Sequence, residues 1–179
     1  QTLTAANTLA DLDGLGTISY QWKAGDVSIS DATSSTYVLT QAEVGKAVTV
    51  SASYTDAGGA AESKTSSATA AVANINDLPT GSVTLSGTPT QDQTLTATNT
   101  LVDVDGIPAS GAAGALSYQW KAGDVSISGA TSSIYVLTQA EVGKTVTVTA
   151  SYTDALNTAE SKTSSATEAV ANVNDAPTG

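Results

Sequence analysis

The sequence predicts an all-β chain made of two tandem antiparallel β-sandwich modules, and three observations lead there. The first is internal repetition: residues 19–81 align with residues 117–179 without a gap, and 53 of the 63 positions are identical. Self-similarity on that scale means one structural unit written twice. The second is composition, in which Ser, Thr, Ala, Val and Gly dominate while Phe, Met, Cys, His and Arg are absent. Such a set suits short strands with hydroxylated outer faces better than helices. The third is two-residue alternation. Val146, Val148, Ala150 and Tyr152 share one face of a segment whose other face is Thr147, Thr149 and Ser151, the pattern of a half-buried strand.

The second copy, residues 82–179, carries every expected element. Strands are predicted over 83–86, 94–100, 116–121, 125–128, 134–138, 145–153 and 160–173, separated by turn residues. Leu116, Tyr118 and Trp120 alternate, which places Trp120, and Trp22 in the other copy, at the centre of a core; burying such a ring contributes about 3 kcal/mol against truncation to Ala. Upstream, QTLTAANTLADLDG from Gln1 matches QTLTATNTLVDVDG from Gln93, and six additional residues within 107–115 change the offset. That insertion, made largely of Ala, Gly, Ser and Pro, reads as a loop. The first copy, residues 1–81, starts beyond the point where SVTLSGTPTQD stands in the second. It is therefore read as a repeat lacking its first strand, because the sequence is cut within a longer array or because another module or chain supplies that strand. A unit of roughly 90 to 100 residues with seven short strands is the size and spacing of an immunoglobulin-like sandwich.

Charge and residue inventory narrow the function. Seventeen acidic residues against six lysines give a net charge of −11, which argues against nucleic acid, whose binding rests largely on Lys and Arg. Divalent cations are the better-matched partner. Without Arg there is no planar fork for phosphate or carboxylate, and without Cys there is neither a disulfide nor a thiolate site. No apolar run of about 18 residues predicts membrane insertion. The lysines recur in register and read as surface charges protecting sheet edges. Catalysis is not expected: no His is present to activate the many serines, and Asp103 and Asp105, two apart on one loop, suit chelation better than acid/base work.

From Ser117 the run SYQWKAGDVSISGATSSIYVLTQAEVGKTVTVTASYTD, with the closing Val-Asn-Asp-Ala-Pro-Thr-Gly, resembles the bacterial immunoglobulin-like tandem repeats of very large surface proteins, including RTX-type adhesins. The likeness covers both copies. It departs from antibody domains, since Thr145 and Thr147 stand where the tyrosine corner and second cysteine would fall. A second resemblance is to the calcium linkers of cadherin-type domains, carried by Asn74-Ile75-Asn76-Asp77 and Asp103-Val104-Asp105. It implies a structural Ca2+ site formed by Asn74, Asn76 and Asp77 of the linker, Asp103 and Asp105 of the loop after the second strand, and Asp154, completed by Glu43 of the first module. The same elements recur as half-sites, Asp11, Asp13 and Asp56 at one end and Glu141, Asn172, Asn174 and Asp175 at the other. Glu62 and Glu160 read as solvated strand starts.

The function implied is that of an extracellular, cell-surface extender segment in a secreted adhesin, its partners being adjacent repeats of the same chain and its interdomain angle fixed by Ca2+. Two alternatives stand beside it. The private insertion 107–115 points to a glycan- or protein-recognition module. The absent first strand points to self-association with other copies of the protein, by strand complementation into a filament.

Overall fold

A computed structural model describes residues 1–174 and Ala176. The chain is all-β, with antiparallel pairing throughout its sheets, and it forms two compact units, Gln1–Ile75 and Asn76–Gly179. The repeat boundary expected after residue 81 falls six residues earlier, after Ile75, because Asn76 and Asp77 make their hydrogen bonds within the second unit.

The first unit contains β1 (Thr2–Thr4), β2 (Ser19–Ala24), β3 (Val27–Ser28), β4 (Thr36–Val38), β5 (Val48–Thr55) and β6 (Ala61–Thr65). The second contains β7 (Val83–Ser86), β8 (Thr94–Asn99), β9 (Ser117–Ala122), β10 (Val125–Ser126), β11 (Ile134–Val136), β12 (Val146–Thr153) and β13 (Ala159–Thr163).

In the second unit a sheet ordered β11-β8-β7 faces a sheet ordered β10-β9-β12-β13. Inward residues of both meet in one core: Val83, Leu95, Ala97 and Leu137 from the first side, and Trp120, Val146, Val148, Ala150 and Tyr152 from the second. The alternation read along β12 is realised, every second residue being buried. Trp120 is 0% exposed. Its ring lies 5.7 Å from that of Tyr135, and its indole N–H donates to the Ser132 carbonyl at 2.8 Å, so burial leaves no polar atom unpaired.

The expected strands agree with the structure to within two residues at each end, apart from the last. Residues 160–173 were expected to form one strand, but the ladder between β12 and β13 closes at Thr163. Beyond it the β12 amides pass to side chains, the Ser164 hydroxyl accepting the Val148 amide and the Thr167 hydroxyl the Val146 amide, while the Ser164 and Thr167 amides still donate to the Val148 and Val146 carbonyls. These short side chains compete with the ladder for its donors and end the strand.

The LTQAEVGK corner is a 3-10 turn at Gln139–Glu141 closed by a capping box. The Thr138 hydroxyl accepts the Ala140 amide, and Glu141 Oε2 accepts the Thr138 amide and hydroxyl. The turn at Gln41–Glu43 repeats it.

In the first unit β3-β2-β5-β6 form the larger sheet, and among the described residues the smaller sheet has two strands, β1 and β4. Its core holds Trp22, Ala32 and Val48, with Leu3, Tyr37, Leu39, Val50 and Val72 only partly buried against them.

Candidate functional site

The acidic residues singled out by their spacing gather at one end of each unit, and local backbone chemistry puts them there. In the second unit Asp103 opens a tight turn in which its Oδ1 accepts the Asp105 amide at 2.9 Å and its carbonyl accepts the Gly106 amide. Gly106 sits at φ 91°, a conformation that a side chain would strain. The loop is tied to the turn after β12, because Ala155 N–H donates to the Asp105 carbonyl. That turn is itself organised by Asp154, whose Oδ1 accepts the amides of Leu156 and Thr158 at 2.8 and 2.7 Å.

The second unit then draws in the residues that precede it. The Asp77 amide donates to Asp105 Oδ2 at 2.7 Å, and the Asn76 side-chain amide donates to Glu160 Oε1 at 2.8 Å. Asp105, Asp154 and Glu160 are all buried. Glu160 was expected to be a solvated strand start; at 7% exposure it is a member of this cluster. The Asn76 partner that covers it lies 84 positions away, so no local pattern announces it. The Asp154 Oδ2 atom is buried and has no hydrogen-bond partner among the described residues.

The first unit repeats the framework in a more open form. Asp11 Oδ1 accepts the Asp13 amide at 2.9 Å, Ala57 N–H donates to the Asp13 carbonyl, and Asp56 Oδ1 accepts the Ala60 amide at 2.8 Å. One carboxylate oxygen from each of Asp11, Asp13 and Asp56 lies within 4.8 Å of the other two. Two oxygens on a common calcium ion stand at most about 5 Å apart, since each Ca–O distance is near 2.5 Å. The spacing fits. Glu62 is exposed here, as expected of a solvated strand start.

A tyrosine reports the charge in each cluster. The Tyr54 hydroxyl donates to Asp11 Oδ2 at 2.8 Å. That hydrogen bond, with burial and the charges of Asp11, Glu62 and Asp56, pushes its pKa from 10.0 up to about 12. Tyr152 donates to Asp103 Oδ2; burial first, then that bond and the charges of Asp103, Glu160 and Asp154, drive its pKa up as well. Both clusters therefore carry a concentrated negative potential whose donors are hard oxygens, the set that suits Ca2+. Among the described residues it is Asp11, Asp13 and Asp56 whose carboxylate oxygens come within the spacing of one ion, while in the second unit the buried Asp154 Oδ2 is left without a hydrogen-bond partner.

The remaining candidates are distributed elsewhere. Asn74 is half-buried in the first unit and accepts the Ile75 amide through its Oδ1. Glu43 and Glu141, assigned by resemblance to ion sites, are buried, and the Oε2 atom of each caps the turn it belongs to. Burial pushes the Glu43 carboxyl up, but the Thr40 amide and hydroxyl, the Tyr37 hydroxyl and Lys46 outweigh it and hold the pKa below its ordinary value. This capping role was readable from Thr-x-x-Glu before a turn. Asn172 and Asn174 are exposed, and Asp175 lies outside the described residues. The insertion 107–115 holds neither strand nor helix. Beside it an open depression of about 430 Å3 is lined by Gly114, Ala115, Ser117, Tyr152 and Glu160 among others.

No protein-family model matches the chain, and no curated protein matches it in sequence. Among the described residues no helix is long and apolar enough to cross a membrane.

Proposed function

We propose that the chain is a structural extender segment of a secreted bacterial cell-surface adhesin, built of immunoglobulin-like repeats whose acidic ends bind Ca2+. The observation that carries the reading is the buried Asp154 Oδ2, without a hydrogen-bond partner among the described residues, beside a tyrosine, Tyr152, that also feels the charges of Asp103 and Glu160. A buried charge without compensation is costly, and a cation held by these oxygens removes the cost. In the second unit Asp103, Asp105 and Asp154 would hold the ion, with Asn76 and Asp77 beside them; in the first, Asp11, Asp13 and Asp56. What calcium supplies is charge neutralisation and coordination by six to eight oxygens.

The extender role follows from where the chain contributes these ligands. Asn76 and Asp77 belong to the linker sequence, so coordination there restrains the segment joining one repeat to the next. The immunoglobulin-like assignment is supported by the two facing sheets and by the buried tryptophan on β9, in the position such sandwiches favour.

The test is small-angle scattering of the two-unit protein with calcium and with chelator, paired with calorimetric titration of the ion. A longer, stiffer particle with saturable uptake, lost in Asp103→Ala/Asp105→Ala, is the expected outcome. No uptake and an unchanged scattering curve would reject calcium stiffening.

A further inference from the structure

The smaller sheet of the second unit ends on β11, whose outer side is unpaired. In the ladder between β11 and β8 the Ala97 amide donates to the Ser133 carbonyl and the Leu137 amide to the Gln93 carbonyl, with Tyr135 opposite Leu95 between them. Main-chain groups alternate in direction along an antiparallel strand. Those of Ser133, Tyr135 and Leu137 therefore serve β8, and those of Ile134 and Val136 point away from it. Among the described residues no strand lies on that side. There the Val136 amide and carbonyl and the Ile134 carbonyl have no hydrogen-bond partner among the described residues, and the Ile134 amide has only a long bond, 3.4 Å, to the nearby Ser132 hydroxyl.

This edge carries little protection against pairing. Ile134 and Val136 are 54% and 51% exposed, and from Ile127 to Thr138 there is neither a charged residue nor a proline, the groups that commonly blunt an open edge. The first copy differs at this place. Ten positions differ between residues 19–81 and residues 117–179, and two of them set Asp31 against Gly129 and Thr36 against Ile134. Asp31 is exposed and sits at φ 58°, where Gly129 sits at φ 74°, so the turn itself is the same. The second copy thus lacks the one charge that the first has in this segment, and it has a β-branched apolar side chain on the edge where the first has a threonine.

We propose that the β11 edge pairs with the β11 edge of a second copy of this chain, antiparallel and about a two-fold axis at Tyr135. Ile134 then stands opposite Val136 of the second copy, and Val136 opposite its Ile134. Each pair exchanges two main-chain hydrogen bonds, so every open donor and acceptor of Ile134 and Val136 on both strands is satisfied at once. The occupant is a second copy because the pattern is its own complement: two donors and two acceptors on residues two apart match themselves under a two-fold axis. The two Ile–Val pairs fall on one face, as the β-branched cross-strand contacts that stabilise sheets do. The neutral segment also brings no like charges to the seam of a chain whose net charge is −11. The sheet β7-β8-β11 continues into β11-β8-β7 of the second copy. A strand of three residues makes the seam short, so the association is weak.

The test is sedimentation equilibrium of the two-unit protein at concentrations up to about 1 mM, with amide chemical shifts followed on dilution. Chelator keeps ion-bridged contacts out of the measurement, and high salt screens the repulsion between two acidic chains. The expected result is a monomer–dimer equilibrium, with concentration-dependent shifts at Ile134 and Val136 and none at Thr36 and Val38. Gly129→Asp/Ile134→Thr writes into the second copy the residues with which the first copy folds, and thermal melting checks that it does fold. It should weaken the dimer by at least about tenfold. The reciprocal Asp31→Gly/Thr36→Ile should give each chain a second pairing edge and extend dimers into longer assemblies. A monomer throughout, a dimer that Gly129→Asp/Ile134→Thr leaves unchanged, shifts confined to other surfaces, or a reciprocal variant that stops at the dimer would each overturn the proposal.

Discussion

Replacing Asp154 by Asn tests the acidic cluster at its most informative atom. Oδ1 of Asp154 already accepts two amides, and Oδ2 is buried with no hydrogen-bond partner among the described residues. In Asp154→Asn the amide oxygen keeps those two bonds, and the new NH2 points where Oδ2 stood, toward a cluster rich in acceptors. An unsatisfied buried polar atom costs about 1–3 kcal/mol, and more when charged. In chelator the variant should therefore be more stable than the parent by about 1–3 kcal/mol. For a unit of about 100 residues that is a rise of about 4–8 °C in Tm per kcal/mol. With calcium at about a hundred times its Kd, the parent gains about 2.7 kcal/mol by mass action, while the variant has lost a charged ligand. The variant's advantage should then fall by up to about 2.7 kcal/mol, enough to reverse the order unless the advantage in chelator lies at the top of its range. Scanning calorimetry with and without chelator reads both signs, with Leu95→Ala used to assign the second unit's transition. A variant destabilised equally in both conditions, or a parent indifferent to calcium, would show that Asp154 is merely a turn former and refute the reasoning.

Other expectations follow from burial and hydrogen bonding. Leu95→Ala should cost the second unit about 3–5 kcal/mol, because the side chain is enclosed, whereas Leu3→Ala in the more open first unit should cost about half as much; chemical denaturation of the two variants compares them. Thr138→Ala removes a cap and should cost about 1 kcal/mol, read as a lower midpoint with an unchanged slope. The Glu43 pKa is held below its ordinary value of 4.5. Its stabilisation is therefore complete above that value and disappears as the pH falls through the lowered one, so Glu43→Gln should flatten the acid limb of the first unit's stability profile. Tyr54 favours its neutral form when folded, so its contribution holds up to about pH 10 and is lost as the pH rises through about 12. Ultraviolet titration should show a late step near that value, absent in Tyr54→Phe.

What was legible in the sequence was whatever depends on near neighbours. The alternation of β12, the buried tryptophans and the Asp-x-Asp-Gly turns are each set by two to four residues, and the structure has them. Glu160 is not legible in this way, because the Asn76 that covers it comes from 84 positions away in the sequence. The end of β13 was missed because Ser164 and Thr167 look like ordinary strand residues until their hydroxyls are seen taking the β12 amides. The Thr-x-x-Glu caps were visible but were assigned to ion binding, since an acidic residue at a corner fits either chemistry until its hydrogen bonds are known.

Near-identity of the two units also bears on how the chain reaches its structure. β2 and β9 have the same sequence, and β5 and β12 differ at one residue. Side chains therefore offer almost no discrimination between the correct pairing of β2 with β5 and the wrong pairing with β12. The loop closed is residues 25–47 in one case and 25–145 in the other, a difference in closure entropy of only about 1.5 kcal/mol, or about tenfold. A full-length chain diluted from denaturant thus faces a substantial cross-paired trap. A chain emerging N-terminus first avoids it, since β5 is available to β2 before β12 exists.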